Sequence, residues 1–361
     1  MQPFTVALVG TAHMHSRMHL RTLNLCDEVQ SIVLCDTDSA ATDRLKAEHG
    51  EKVTETTTDF ESLLARDDIP VFYMVLRNDH MPDACVAAAR AGKHLMCEKP
   101  VGRNAAEALR VVAAAQQAGV VMSVAYPNVF NPVLRDIRRL VADGILGSVM
   151  NFELRIITSQ VKFRDPSLWL FDKEIAGGGI VSWLGCHYLD MLRFALDDEV
   201  ASVMAMAKNS GGEAISVEDN ACAVLATRAG ALGTLCSGYL LPSSTAGYEG
   251  ASYDTYLALK GTLGHVRWEP FNRAAPRIEV ESVHPDWAAA PRRVWTYEPA
   301  ASGAYGGAFG LEFVKQFFAA CFGEAAAPNT GESALRVLEI LDALYESAAS
   351  GERVAVRQIR V

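Results

Sequence analysis

The first third of the chain alternates short, almost unbroken apolar segments with longer amphipathic ones. The apolar segments predict strands at residues 4–9, 31–35, 71–76, 95–97 and 120–125. Helical periodicity between and after them predicts helices near residues 40–49, 82–91 and 104–118. Asn104 followed by Glu107 fits a capping box at the start of the last helix. Strands without polar positions are covered on both faces, so the alternation predicts an α/β fold with a doubly wound parallel sheet.

After residue 126 the pattern changes to longer strands that follow one another. They are predicted at residues 220–227, 231–239, 254–259, 265–269, 277–283 and 292–298, with helices at 132–143, 181–195, 309–321 and 332–349. Residues 158–179 read as a long loop, and loops of that length are often functional. The second part is therefore predicted to be an α+β domain with a large, mostly antiparallel sheet, which divides the chain into residues 1–125 and 126–361.

Composition narrows the class of protein. Half of the 361 residues are hydrophobic, and the net charge of −10 argues against nucleic acid or an anionic membrane surface as a partner. The eight cysteines include no Cys-x-x-Cys pair, which favours a reducing compartment and no structural zinc. The chain begins with a strand, and no apolar run approaches the roughly 20 residues of a membrane span. These features predict a cytoplasmic protein.

The first predicted turn contains part of a dinucleotide-binding motif. Gly10-Thr11-Ala12-His13-Met14-His15 keeps only the first of three expected glycines, with Ala12 as a small substitute and His15 in place of the third. Asp36 ends the second strand, where an acid accepts hydrogen bonds from an adenosine ribose and repels the 2′-phosphate of NADP. This position favours NAD over NADP. The structural alternative is that Asp36 only starts a turn.

Three histidines near this turn raise a different possibility. His13 and His15 form a His-x-His motif, as in the metal sites of amidohydrolase barrels, and His19 follows one helical turn later. Neutral imidazoles suit zinc or nickel. A barrel of that kind requires eight strand–helix repeats and further ligands, whereas the second half of this chain is rich in consecutive strands. The simpler interpretation is a polar loop and an exposed helix face.

A charged dipeptide closes the strand at residues 95–97. Glu98 and Lys99 follow at its carboxyl end, where open α/β sheets bind ligands, and Pro100 restricts Lys99 to an extended backbone. Farther along, three glycines at 177–179 let the backbone pass close to a ligand, and His187 then lies early in a helix. Trp183 shares its helical face. The structural alternatives are a surface ion pair and a histidine of the core.

These two stretches resemble the signatures of the Gfo/Idh/MocA oxidoreductases. Residues 91–100 are similar to the family's Ala-Gly-Lys-His-Val-x-x-Glu-Lys-Pro, and residues 177–190 to its Gly-Gly-Gly-x-x-x-Asp-x-Gly-x-His-x-x-Asp. His187 matches the catalytic histidine and Asp190 the final acid. Two positions depart from the pattern: Trp183 replaces an aspartate, and Leu76-Arg77 replaces the usual Thr-Pro. Residues 59–64, 126–130 and 330–335 extend the resemblance over nearly the whole chain.

The resemblance implies an N-terminal Rossmann domain, a C-terminal α+β domain and an NAD(P)-dependent dehydrogenase acting on a secondary alcohol of a sugar, cyclitol or glycoside. Lys99 would hydrogen-bond the reacting hydroxyl and His187 would take its proton, with no metal involved. The implied cofactor contacts are Gly10, Thr11, Ala12, His13, His15, Asp36, Leu76, Arg77, Asn78, Glu98 and Lys99. The implied substrate contacts are Tyr126, Asn128, Trp169, Trp183 and His187.

Further expectations follow from the same resemblance. The Lys99–Pro100 peptide is expected to be cis, and Trp183 is expected to stack on an apolar sugar face or an aglycone. A homodimer or homotetramer is expected to form through the C-terminal sheet. Two other functions stay open: a glycosidase that holds NAD and oxidises its substrate transiently, and a non-catalytic sensor of sugars or dinucleotides.

Overall fold

The computed structural model describes residues 2–244, 251–271 and 276–360. Contacts divide the chain into two compact units. The first unit consists of Met1–Phe130, Ala300–Arg336 and Ile359–Val361, and the second of Asn131–Pro299 and Val337–Gln358. This division differs from the predicted boundary after residue 125, because residues 300–336 return to the first unit. No helix in the described residues is long and apolar enough to cross a membrane.

The first unit contains a six-stranded, wholly parallel sheet. Its strands are β1 (Phe4–Val9), β2 (Val29–Cys35), β3 (Val53–Thr57), β4 (Val71–Met74), β5 (His94–Cys97) and β6 (Met122–Val124). Their spatial order is β3-β2-β1-β4-β5-β6, the order of a dinucleotide-binding doubly wound sheet. The helices are α1 (Ser16–Asn24), α2 (Ser39–His49), α3 (Phe60–Leu64), α4 (Met81–Arg90) and α5 (Ala105–Ala118).

The predicted strands and helices of this unit are confirmed to within three residues at each end. β1 and β4 are buried along almost their whole length, as expected for strands covered on both faces. Asn104 caps α5 by accepting the amide of Glu107 at 2.9 Å. β3 was not predicted, because its sequence Val-Thr-Glu-Thr-Thr contains one apolar residue, which is also its one buried residue.

The second unit contains a nine-stranded, mostly antiparallel sheet. Its strands are β7 (Val149–Ser159), β8 (Val200–Lys208), β9 (Asn220–Thr227), β10 (Leu232–Leu241), β11 (Tyr253–Gly261), β12 (Gly264–Trp268), β13 (Arg277–Ser282), β14 (Arg292–Thr296) and β15 (Val354–Ala355). The order is β14-β13-β12-β11-β7-β10-β9-β8-β15, and only β7 and β10 run parallel. From Phe152 to Thr158, the even-numbered residues of β7 face the core.

The helices of the second unit are α6 (Pro132–Ala142), α7 (Lys173–Ala176) and α8 (Cys186–Leu196). The helix predicted at residues 181–195 begins with a π-helical turn, Val181–Gly185, before the regular helix. The loop predicted at 158–179 is only partly irregular. It contains the end of β7, two short 3₁₀ turns (Val161–Phe163 and Trp169–Phe171) and α7.

Two helices complete the chain. α9 (Ala308–Cys321) packs in the first unit, where Phe318 meets Phe4 edge to face with ring centroids 5.1 Å apart. α10 (Gly331–Ser350) begins in the first unit and ends in the second. Ser123 forms an isolated antiparallel bridge with Thr330, which extends the edge of the parallel sheet.

Candidate active site

The turn after β1 is built around a glycine that no other residue can replace without strain. Gly10 has a φ of +96°, and a Cβ there would lie 2.1 Å from the carbonyl oxygen of Val75. The turn therefore lies directly over the end of β4. Its next two amides, those of Thr11 and Ala12, donate to Oδ2 of Asp36 at 2.5 and 3.1 Å. The structure thus brings Asp36 and the predicted phosphate-binding turn together at one edge of the sheet.

This arrangement fits a dinucleotide. Backbone amides that already accommodate a carboxylate are the donors that a pyrophosphate requires. Asp36 also accepts the amide of Asp38 at 3.0 Å through its other oxygen, so its carboxylate is oriented from both sides. Asp36 does start a turn, in which it accepts the amide of Asp38. It also accepts the amides of Thr11 and Ala12, which a residue that only starts a turn would not do.

The carboxylate of Glu98 is buried between two imidazoles. Oε1 lies 2.9 Å from Nδ1 of His15, and Oε2 lies 2.5 Å from Nε2 of His19. The ring of Tyr305 covers both imidazoles, with centroid distances of 5.3 and 4.9 Å. His13 accepts the backbone amide of His15 on its Nδ1 at 3.0 Å. Helix α1 and its preceding turn are thereby tied to the end of β5.

The charges in this cluster follow from burial and contact. Burial lowers the pKa of His13 well below its usual 6.5 and also lowers the pKa of His15, although Glu98 opposes the shift of both. Burial alone would raise the pKa of Glu98, but the contacts with His15 and His19 outweigh it and hold that pKa well below 4.5. At neutral pH an ionised Glu98 is therefore held beside neutral His13 and His15.

Glu98, His13 and His15 are predicted from the sequence to contact the cofactor, and no partner is predicted there for His19. The structure gives the carboxylate of Glu98 a different set of partners, so its direct contact with a cofactor stays a prediction. The spacing of His15 and His19, one helical turn apart, was a signal that both rings share a face. Nothing in the sequence indicated that Glu98 would meet that face, because 79 residues separate it from His19.

Lys99 follows this cluster at the carboxyl end of β5. Its side chain is only 1% exposed, and the Lys99–Pro100 peptide is cis, as predicted. The segment after β4 lies at the same edge, with Leu76 and Arg77 half-buried and Asn78 buried. Arg77 forms a two-pronged ion pair with Asp79, at 3.1 and 2.7 Å. Tyr126, buried, and Asn128, half-buried, follow β6.

The glycine run of the second unit is shaped by Glu218, a residue that no sequence pattern indicated. Glu218 accepts the amides of Gly179 and Val181 at 2.8 and 3.1 Å and the hydroxyl of Tyr345 at 3.0 Å. A Cβ at Gly179 would lie 2.0 Å from the carbonyl oxygen of Glu218, so the close approach requires glycine. Burial raises the pKa of Glu218, and these hydrogen bonds only partly oppose the shift.

The residues after the glycine run have different exposures. His187 is half-buried in the first turn of α8, and Asp190 is buried one turn later. Trp183 is 4% exposed, and its ring meets that of the half-buried Trp169 edge to face with centroids 6.1 Å apart. The stacking of Trp183 on a substrate stays a prediction, as does the convergence of Lys99 and His187.

Comparison with known proteins agrees with this architecture. The description "Oxidoreductase family, NAD-binding Rossmann fold" matches residues 4–126, and "GFO/IDH/MocA C-terminal domain" matches residues 134–267. The chain belongs to the GFO/IDH/MocA family of oxidoreductases. The predicted family and fold class are confirmed. The amidohydrolase alternative is wrong, since the first sheet is open and six-stranded rather than an eightfold barrel.

Relatives of known activity act on sugars and cyclitols. The 1,5-anhydro-D-fructose reductase of Ensifer adhaerens is 28% identical over 202 residues, which cover 55% of this chain and 59% of that protein. The D-apiose dehydrogenase of Paraburkholderia graminis is 25% identical over 369 residues, covering 99% and 90%. A structure of levoglucosan dehydrogenase with NADH and levoglucosan superimposes with a TM-score of 0.85 at 22% identity, covering 99% of this chain and 100% of that one.

The buried cluster predicts an acid-sensitive fold. The unfolded chain takes up protons at His13 and His15 near pH 6.5, whereas the folded chain does not, so their contribution is present above about pH 6.5 and lost as the pH falls through it. Glu98 adds a further loss below about pH 4.5, because its folded pKa is depressed. Urea unfolding at several pH values should show both steps.

The variant Glu98→Gln distinguishes the loss of stability due to Glu98 from the loss due to the two histidines. Gln presents an amide donor to the imidazoles and removes the charge, so we expect a loss of about 3 kcal/mol in unfolding free energy at neutral pH. The acid step below about pH 4.5 should shrink in this variant. The control is Glu48→Gln on the exposed face of α2, which should change neither value. If Glu98→Gln and Glu48→Gln have the same unfolding free energy and the same loss of stability in acid, Glu98 does not stabilise the cluster.

Proposed function

We propose that this chain is an NAD-dependent dehydrogenase that oxidises a secondary alcohol of a sugar, cyclitol or glycoside. The observation that carries the proposal is the position of Lys99. Its buried ammonium follows β5 at the sheet edge where Gly10 and Asp36 also lie. That edge, in this strand order, is where doubly wound sheets bind dinucleotides. Relatives that reduce or oxidise sugars support the substrate class.

The cofactor would be held mainly by the turn after β1. On binding, the amides of Thr11 and Ala12 would exchange Oδ2 of Asp36 for the pyrophosphate, and Asp36 would accept hydrogen bonds from the adenosine ribose instead, which favours NAD over NADP. Leu76, Arg77 and Asn78 would lie beside the cofactor, at the end of β4. When bound, NAD supplies the acceptor for the hydride that leaves the substrate carbon.

The chain's own residues would move the proton. The ammonium of Lys99 would donate a hydrogen bond to the reacting hydroxyl and hold it in place. Nε2 or Nδ1 of His187 would accept the hydroxyl proton as the alcohol becomes a carbonyl. Histidine suits this step because its ordinary pKa lies near neutral pH. Tyr126, Asn128, Trp169 and Trp183 would contact the rest of the substrate, and the indole of Trp183 favours a substrate with an apolar ring face.

Two further features are proposed for the whole molecule. The distribution of thiols, six of eight of them buried, supports a reducing, cytoplasmic location.

The face of the nine-stranded sheet that points away from the core, here called the open face, supports self-association. Four apolar residues are exposed on it: Met204, Met206, Val224 and Leu232, at 53, 80, 53 and 55%. Neighbouring charges on that face, such as Arg155 paired with Asp254, would form its polar border. A second copy of this chain is the proposed occupant.

Removing either proposed catalytic group should abolish most turnover. We expect Lys99→Ala and His187→Ala each to lower kcat by about 10²–10⁴-fold while the protein stays folded. The measurement is formation of the reduced nicotinamide band with a panel of sugars, cyclitols and glycosides. Turnover that consumes no added NAD would instead favour the transient-oxidation glycosidase.

The matched control for Lys99 is Lys93, at the opposite end of β5. Its ammonium donates to the carbonyl oxygen of Arg66 at 2.6 Å, away from the proposed site. Lys93→Met should retain kcat once its folding has been verified by circular dichroism. A Lys99→Ala variant with unchanged kcat would remove Lys99 from the mechanism.

The position of Asp36 predicts cofactor preference. Replacing Asp36 by Ser and Thr37 by Arg removes a repulsive carboxylate and adds a partner for the 2′-phosphate. The ratio of kcat/KM for NADP to that for NAD should rise about tenfold or more. Thr37→Arg alone keeps the carboxylate and should retain NAD preference. Tighter binding of NADP than NAD to the unmodified chain would contradict the assignment.

If the chain associates through the open face, a charge introduced at Met204 should dissociate it, whereas the same charge at Met150 should not. Met204→Glu places a charge on that face and should lower the mass measured by light scattering. Met150→Glu introduces the same charge at a residue that is 54% exposed at the opposite face of the sheet, and should leave the mass unchanged. A monomeric unmodified chain would contradict the proposal.

A further inference from the structure

Two cysteines face each other across neighbouring strands on the open face of the nine-stranded sheet. Cys222 of β9 is the direct cross-strand partner of Cys236 of β10, and their Sγ atoms lie 3.6 Å apart. Hydrogen bonds from Thr227 to Ala231 and from Tyr239 to Asp219 mark the bonded pairs of this ladder. Because bonded and non-bonded pairs alternate, the cysteines occupy a non-hydrogen-bonded pair.

That position matches the geometry of a disulfide. Cα atoms of non-hydrogen-bonded antiparallel pairs lie about 4.5 Å apart, which is within the range that a disulfide spans. The two sulfur atoms have to approach from 3.6 Å to about 2 Å, a change that side-chain rotation supplies without moving either strand.

Exposure distinguishes this pair from the rest of the thiols. Cys222 is exposed and Cys236 partly exposed, whereas the other six cysteines are buried. Cys85 and Cys97 form a second pair with the same Sγ separation of 3.6 Å, but neither side chain reaches solvent. The chain therefore contains two thiol pairs of equal separation, and in a single copy of the chain an oxidant in solution reaches only the pair on the open face.

We propose that Cys222 and Cys236 form a reversible disulfide, closed by peroxide and opened by a dithiol reductant. The thiolate of Cys222 attacks one peroxide oxygen, which breaks the O–O bond and leaves a sulfenic acid and hydroxide. The sulfur of Cys236 then attacks the sulfenic sulfur, an S–S bond forms and water leaves. In total two thiols and one hydrogen peroxide give one disulfide and two waters, with two electrons passing from sulfur to oxygen.

The order of attack follows from the surroundings of the two thiols. Burial, helped by the contact with Cys222, raises the pKa of Cys236 to about 11, so little of it is thiolate at neutral pH. Cys222 is the more exposed sulfur and meets peroxide first. Cys236 is held in contact with it and resolves the sulfenic acid. The inference does not depend on dehydrogenase activity.

The test is a thiol map of the full chain. The reduced protein is freed of reductant, treated with hydrogen peroxide, denatured and alkylated, and its peptides are identified by mass spectrometry. We expect a Cys222–Cys236 linkage that dithiothreitol opens, formed before any link between Cys85 and Cys97 is detected. Absence of the linkage from both this chain and the Met204→Glu variant, or equal oxidation of the buried pair, would overturn the proposal.

Two serine variants test the mechanism. In Cys236→Ser the sulfenic acid of Cys222 should accumulate and be trapped by dimedone, whereas Cys222→Ser should leave Cys236 mostly reduced. Trapping at Cys236 rather than Cys222 would contradict the order of attack.

Self-association would place the pair beneath a second copy, so the map is repeated on Met204→Glu. A linkage in either protein supports the proposal. Its absence from both refutes the disulfide, whatever the oligomeric state.

Discussion

The first unit depends on one buried negative charge. Glu98 has no access to water, and an ionised carboxylate in that position is costly unless hydrogen bonds replace its hydration. His15 and His19 supply those bonds, one to each oxygen. Hydrogen bonds to a charged group contribute about 1.5–3 kcal/mol each. The two imidazoles therefore explain why the carboxylate of Glu98 stays ionised although it is buried. The bonds also fix the turn after β1 relative to β5, the strand that precedes Lys99.

The second unit has a buried carboxylate with the opposite electrostatic outcome. Glu218 is surrounded by two backbone amides and a tyrosine hydroxyl, and burial outweighs them, so its pKa is raised. Glu98 lies between imidazoles and its pKa is lowered. Both carboxylates position backbone near a predicted catalytic residue: Glu98 precedes Lys99, and Glu218 holds the glycine run that leads to His187. In each unit a buried acid orients the segment that carries a predicted catalytic residue.

Sequence patterns predicted the parts of the fold whose information is local. The apolar strands β1 and β4 and the cap at Asn104 follow from neighbouring residues, whereas the cis bond before Pro100 was expected from the family resemblance. β8 was missed because alternating alanine and methionine fit a helix as readily as a strand, and the exposed Met204 and Met206 conceal its buried face. Glu218 was missed because 39 residues separate it from Gly179. Contacts over such distances are set by the sheet, not by local preference.

The departure of the first turn from its motif now has a physical explanation. In the complete motif the third glycine allows helix and strand to pack closely, and the second lets the backbone approach a pyrophosphate. Here the third position is His15, which is buried and hydrogen-bonded to Glu98 instead of leaving space. The turn is therefore held by a polar network where related motifs rely on close packing. Ala12 still leaves its amide available to an acid, as the contact with Asp36 demonstrates. The lost glycines changed how the turn is supported and kept the donors that an anion needs.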